Sequence, residues 1–135
     1  MKALLDTHVF LWWVLDDERL TPFVRDFVGD RNNELFLSAA SCWEMIIKAN
    51  LGRLVFPEPP EKFIPGQMNQ NKLTGLPVQI AHALHIHSLP GHHKDLFDRM
   101  LVAQAQLERM PIITNDSLIA AYDVKILWDK KGKRH

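Results

Sequence analysis

Residues 1–15 read MKALLDTHVFLWWVL, and the order of these letters decides the fold. Ala3, Leu4 and Leu5 form a short apolar run that stops at Asp6. A strand buried in a parallel sheet reads this way when it delivers a polar residue to its carboxyl end. Asp6 and Thr7 then offer side-chain oxygens that can cap a helix. Residues 8–15 are apolar almost all round, so this helix needs neighbours on more than one side. Phe10, Leu11, Trp12 and Trp13 are too apolar for one sheet-facing stripe, which leaves the segment 9–15 as either core or a partner surface, where aromatic residues are enriched.

The same strand-then-helix unit recurs along the chain. Thr21 with Pro22 at the first helical position opens a helix through Phe23, Val24 and Phe27 that ends near Gly29. Residues 34–37 form a second strand, followed by Trp43, Ile46, Ile47 and Leu51 on one helix face that ends at Gly52. Pro57, Pro59 and Pro60 punctuate a loop before a weak helix over 63–70, which contains Pro65. Residues 73–76 read as a strand and 77–87 as a helix. From Asp95, the residues Phe97, Leu101, Val102, Ala105 and Leu107 mark an amphipathic helix to about Arg109. Residues 111–114 form a strand, 115–122 a turn and short helix, and 124–128 a last strand. Strands alternating with helices imply parallel βαβ units and a sheet covered on both faces, with ligands beyond the carboxyl ends of the strands.

A chain of 135 residues fits one domain, here expected over 1–135 with 130–135 as a frayed basic tail. Hydrophobic residues at 47% and charged residues at 24% exclude wholesale disorder. Sixteen basic and sixteen acidic side chains cancel, so contact with a nucleic acid has to be local. Cys42 stands alone, which rules out an internal disulfide and fits a reducing compartment. The amino terminus places an aspartate inside its apolar stretch and lacks a small-residue cleavage site, so it makes a poor signal peptide. The apolar run 9–15 falls far short of the roughly 20 residues that span a bilayer. The expectation is a cytoplasmic protein with no membrane partner.

Four acids fall where such a sheet gathers ligands. Asp6 and Asp116 follow strands, and Glu44 and Asp98 read as first-turn residues of helices. Like charges in a low-dielectric cleft repel, and a cluster of them is tolerated mainly around a cation. Oxygen donors select a hard ion, Mg²⁺ or Mn²⁺, since no cysteine pair or HExxH motif favours zinc. A carboxylate-held divalent ion suits phosphodiester hydrolysis, and no residue stands in a recognisable nucleophile motif that would support a covalent route. Taken singly, each acid has a structural explanation. Asp6 and Asp116 can be caps, Ser41 to Glu44 fits a capping box, and Asp98 suits the acidic first turn of a helix. The histidine tract of His82, His85, His87, His92 and His93 lacks the partners of a structural zinc site, although His93 lies near enough to the acids to touch substrate.

The stretches LLDTHVFLWW, SAASCWEMIIKANLGRL, HKDLFDRMLVAQAQLERMPIITND and YDVKILW resemble the PIN-domain family, and within it the VapC-like toxins of toxin–antitoxin pairs. Together they run from Leu4 to Trp128, with only about 56–90 lacking a distinctive match. The resemblance implies a three-layer α/β/α fold with a central, mainly parallel sheet. It implies an Mg²⁺- or Mn²⁺-dependent endoribonuclease with Asp6, Glu44, Asp98 and Asp116 as its acids, working through a metal-activated water. It also implies a cognate antitoxin and a homodimer. Thr7 and Thr114 stand where similar proteins place hydroxyls near the site, and Leu96 replaces a common proline. Asp98, rather than Asp95, is in the matching register, which leaves Asp95 as a cap. Lys48, Arg99 and His93 are candidate RNA contacts; Lys48 could equally pair with Glu44 four residues earlier, and Arg99 could neutralise the acids. A noncatalytic PIN-like module that binds protein through its apolar helices is the competing function.

Overall fold

In the computed structural model, which describes residues 1–129, the alternation of elements closes into one five-stranded parallel sheet. The basic segment 130–135 lies outside the described residues. In chain order the elements are β1 (Lys2–Leu5), α1 (Thr7–Val14), α2 (Pro22–Gly29), β2 (Glu34–Ser38), α3 (Ala39–Asn50), α4 (Pro60–Gln70), β3 (Thr74–Leu76), α5 (Ile80–His85), α6 (Leu96–Glu108), β4 (Ile112–Ile113), α7 (Ser117–Ala120) and β5 (Ile126–Leu127). The strands run β3-β2-β1-β4-β5, every neighbour pair parallel, with Leu4 of β1 opposite both Phe36 and Ile112. The chain therefore builds outward from β1 in one direction, then returns to build outward in the other. That reversal opens a crevice at the carboxyl ends of β1 and β4.

Period-two alternation sorts the strand residues onto the two faces. Ala3, Leu5, Leu35, Leu37 and Ile113 pack in one core with Phe10 and Leu11 of α1, Val24 and Val28 of α2, Met45 and Ile64. Leu4, Phe36, Leu76 and Ile112 pack in the other with Leu101, Val102 and Ala105 of α6, Ile119 and Tyr122. Two cores on one sheet make three layers, α/β/α. No helix of the described residues is long and apolar enough to cross a membrane.

Helix ends follow the sequence signals closely. The side chains of Asp6, Thr21, Asp95 and Asp116 each accept a backbone N–H at the start of α1, α2, α6 and α7. Gly52 follows α3 in a left-handed conformation, φ 72°, that glycine adopts without strain. Two expectations require correction. The cap of α3 is Ser38, whose Oγ accepts the Ala40 N–H at 3.0 Å, so the capping box at Ser41–Glu44 does not form. β2 runs straight into α3 without a loop, and Glu44 consequently sits in the second turn rather than the first. The helix expected over 77–87 is shorter, Ile80–His85 followed by a single tight turn over Ile86–Ser88.

The aromatic run of α1 divides its roles. Phe10 is wholly buried, whereas Trp12 and Trp13 are half-buried. Trp13 Nε1 donates to Asn71 Oδ1 at 2.9 Å, and Trp12 lies edge-on to Trp128 with the Arg19 guanidinium over its ring. The helix is thus core on one side and a partly covered aromatic flank on the other. Replacing Phe10 with alanine is expected to cost about 3–5 kcal/mol of stability by leaving a cavity that α1 cannot collapse into. Urea unfolding of F10A against the parent checks this; a loss below about 1 kcal/mol would mean that α1 does not anchor the core.

Candidate active site

The crevice is lined by acids that the elements deliver one by one. Asp6 leaves β1 directly, Asp116 follows β4 at the start of α7, Glu44 projects from α3, and Asp98 sits in the first turn of α6. Asp6, Glu44 and Asp98 are all buried, at 2%, 3% and 7% exposure, where water cannot screen their charges. Asp116 is half-buried.

Each acid is held by a different set of donors. Asp6 Oδ2 accepts the Thr114 hydroxyl at 2.6 Å, and its Oδ1 accepts the His8 N–H at 3.2 Å. Thr114 Oγ1 in turn accepts the Asp116 N–H at 3.0 Å, so one hydroxyl links the acids that end β1 and β4. Asp116 Oδ1 accepts the Leu118 N–H at 2.8 Å. Glu44 Oε2 pairs with Lys48 Nζ at 2.8 Å, and its Oε1 is buried with no hydrogen-bond partner. A buried carboxylate oxygen in that state costs free energy unless something positive faces it. On the far side, His93 Nε2 lies 2.9 Å from Asp98 Oδ2 and 3.1 Å from Asp116 Oδ2.

Crowding shows in the protonation of the group at the centre. Burial, and then the charges of Asp6, Asp95 and Glu44, push the Asp98 carboxyl up to about 7, while His93 pulls it the other way. On the rim, His8 is raised, first by its hydrogen bond to Asp6 and further by the charges of Asp6 and Glu44, against burial and Lys48. A buried oxygen without a partner and a carboxyl whose ionisation its neighbours resist are both features that a cation would relieve. The donors are oxygens with one imidazole at the edge, and among the described residues His93, Asp98 and Asp116 offer ligand atoms within 4.8 Å of one another.

Of the four acids named from the sequence, Asp6 and Glu44 act on Asp98 through their charges, and His93 contacts both Asp98 and Asp116. Thr114 donates its hydroxyl to Asp6, whereas Thr7 turns its hydroxyl into α3, donating to Ser41 Oγ at 2.8 Å. Lys48 takes the ion-pair alternative with Glu44. Arg99 faces away from the acids: its Nη1 and Nη2 donate to the carbonyls of Pro90 and Ile86, with further contacts to the His93 carbonyl and the Tyr122 hydroxyl. Sequence reasoning missed Ser41 and Tyr122, which touch no acid directly, and His8, whose position two residues after Asp6 was the available signal. His82 is buried, accepting the Gln79 N–H on Nδ1 and meeting Glu108 through Nε2, while His85 meets Gln106. Those two histidines tie α5 to α6.

Residues 3–125 match the PIN domain model. A segment of 61 residues is 41% identical to ribonuclease VapC16 of Mycobacterium tuberculosis, covering 45% of this chain and 43% of that protein. The matched segment thus spans less than half the length of that curated relative. The fold is similar to VapBC2 from Rickettsia felis bound to a DNA fragment from its promoter, with TM-score 0.72 and 12% identity over 96% of this chain and 100% of the other. It is also similar to DNA-bound VapBC from Salmonella typhimurium, with TM-score 0.70 and 16% identity over 94% of this chain and 97% of the other.

The raised Asp98 carboxyl links stability to pH with a definite sign. A carboxyl that is protonated in the native state up to about 7, but ionises near 3.8 when unfolded, stabilises the metal-free fold at low pH and ceases to do so as pH rises through 7. In EDTA, Asp98→Asn is therefore expected to melt above the parent at pH 8, with the gap closing towards pH 5. Thermal melts across that range check it, and a gap independent of pH would refute the crowding of Asp98.

Proposed function

Since the chain belongs to the PIN domain family, we propose that it is a divalent-cation-dependent endoribonuclease acting as the toxin of a toxin–antitoxin pair. The observation that carries this reading is the convergence of Asp6, Glu44 and Asp98, all buried and acting on one another's charge, with Glu44 Oε1 left without a hydrogen-bond partner. Similarity to ribonuclease VapC16 supports RNA as the substrate, and similarity to VapBC complexes supports an antitoxin partner, with a homodimer and a cytoplasmic location as the accompanying expectations. Mg²⁺ or Mn²⁺ fits the oxygen-rich donor set. Such an ion, when bound, makes a water a competent nucleophile at neutral pH and offsets charge building on the phosphate.

The chain's own residues divide the remaining work. Asp6, Asp98, Asp116 and Glu44 would hold the cation. Thr114 fixes Asp6 through its 2.6 Å hydrogen bond, which leaves that carboxylate one orientation. Thr7 serves at one remove by pinning α1 to α3 through Ser41. Lys48, with its side chain 36% exposed, orients Glu44 and is the cation best placed to meet a phosphate from the solvent side. Arg99 braces the loop that carries His93 rather than meeting RNA. Single-stranded or looped RNA suits an open crevice because its backbone is accessible there.

Purified, partner-free protein should cleave a labelled single-stranded RNA in MnCl₂ or MgCl₂ and stop in EDTA. Asp6→Asn and Asp98→Asn should each lower the rate on the order of 10³-fold, the several kcal/mol that a displaced cation withholds from the transition state. Wild-type rates in either variant would dismiss the assignment. A well-folded protein that cleaves nothing with either metal would instead favour a noncatalytic, protein-binding module.

A further inference from the structure

His93 stands between two of the acids, and its own hydrogen bonds state which nitrogen carries the proton. Nδ1 accepts the Asp95 N–H at 3.2 Å, so in the neutral ring the proton resides on Nε2. Nε2 is the atom that hydrogen-bonds Asp116 Oδ2 at 3.1 Å and lies 2.9 Å from Asp98 Oδ2. For Nε2 to coordinate a cation, the proton would have to move to Nδ1, where it would meet the Asp95 N–H head-on. Asp95 cannot easily yield, since its carboxylate caps α6 by accepting the N–H groups of Phe97 at 2.9 Å and Asp98 at 3.1 Å.

The rest of the residue is equally committed. The His93 N–H donates to the hydroxyl of buried Tyr122 at 2.8 Å, and Arg99 reaches that hydroxyl at 3.2 Å and the His93 carbonyl at 3.4 Å. The imidazole is thus held with its Nε2–H directed at the Asp116 carboxylate and with Asp98 in contact beside it, rather than presented as a free ligand. A carboxylate oxygen has two lone-pair directions, so the oxygens that His93 engages keep one each for another partner.

We propose that His93 is a positioning residue for the cation site: its Nε2–H holds the Asp116 carboxylate beside Asp98, and the imidazole is not itself a ligand. This rests on reading the acids as a divalent-cation centre. Groups that orient metal-bound carboxylates in this way typically account for 10–100-fold in affinity.

The test uses the full chain with Mn²⁺, read by loss of the free-ion EPR signal and by pulsed EPR on protein with ¹⁵N-labelled histidine. The parent should bind Mn²⁺ without the coupling of a directly bonded histidine nitrogen. His93→Ala should weaken Mn²⁺ binding about 10–100-fold, and His93→Gln, whose amide N–H can reach the place of Nε2–H, should recover most of that loss. A direct nitrogen coupling in the parent that vanishes in H93Q would make His93 a ligand and overturn the proposal. Unchanged affinity in H93A would overturn it too, leaving the cation reading intact. If H93A does not fold, the parent's nitrogen coupling and the H93Q affinity decide. A parent that binds no Mn²⁺ would remove the cation centre itself, and the role of His93 with it.

Discussion

Three carboxylates kept together after water has been excluded from around them is the constraint to which this structure answers. Asp6, Glu44 and Asp98 are nearly inaccessible, and burial and repulsion hold Asp98 back from ionising until about pH 7. A fold tolerates such a cluster only by surrounding it with positive character. Thr114 and the His8 N–H do this for Asp6, Lys48 for Glu44, and His93 for Asp98 and Asp116. These donors come from four separate stretches of chain, so the sheet and the helices that flank it must be in place before the acids are stabilised. Glu44 Oε1 is the one oxygen of the set left buried without a partner.

The topology makes this convergence unavoidable. β1 is central, and the chain leaves it first towards β2 and β3, then returns to β4 and β5 on its other side. The carboxyl ends of β1 and β4 therefore face a crevice that no crossover helix fills. Asp6 and Asp116, which leave those two strands, both also cap the helix that follows, accepting N–H groups through Oδ1 while Oδ2 turns to Thr114 or His93. Capping and site-building are one act here, carried by the two oxygens of a single side chain. Serine or threonine would satisfy the helix equally well, but would leave nothing to offer the crevice.

The parts legible in the sequence were those with a local cause. The run Ala3 to Leu5 ending in Asp6, the Thr21-Pro22 helix start, Asp95 as cap and Gly52 beyond a helix end each carry their reason within a few residues. Asp6, Asp98 and Asp116 could be named because strand ends and helix starts were readable; Glu44 lies a turn deeper in α3 than its local pattern suggests, and the family resemblance favoured Asp98 over Asp95. What stayed hidden was long-range. Ser38 displaced the expected capping box because β2 abuts α3 directly, which no propensity signals. Tyr122 reaches His93 across 29 residues and Arg99 across 23, so neither pattern nor spacing could place that brace. Arg99 looked like a phosphate contact because the sequence shows its charge and not the carbonyls of Ile86 and Pro90 that occupy it.

The protein has no net charge, and the crevice itself is acidic, so its local field repels a phosphate rather than attracting one. Lys48 and His8 at the rim soften that field, but both are drawn towards the acids, to Glu44 and Asp6 respectively. Affinity for a polyanion at this site must then come from whatever reverses the sign of the crevice, and a divalent ion among four carboxylates is the largest local charge available to do so. On the function proposed above, binding of substrate and activation of water would depend on the same event, which would leave such a site little tendency to hold RNA that it is not equipped to cut.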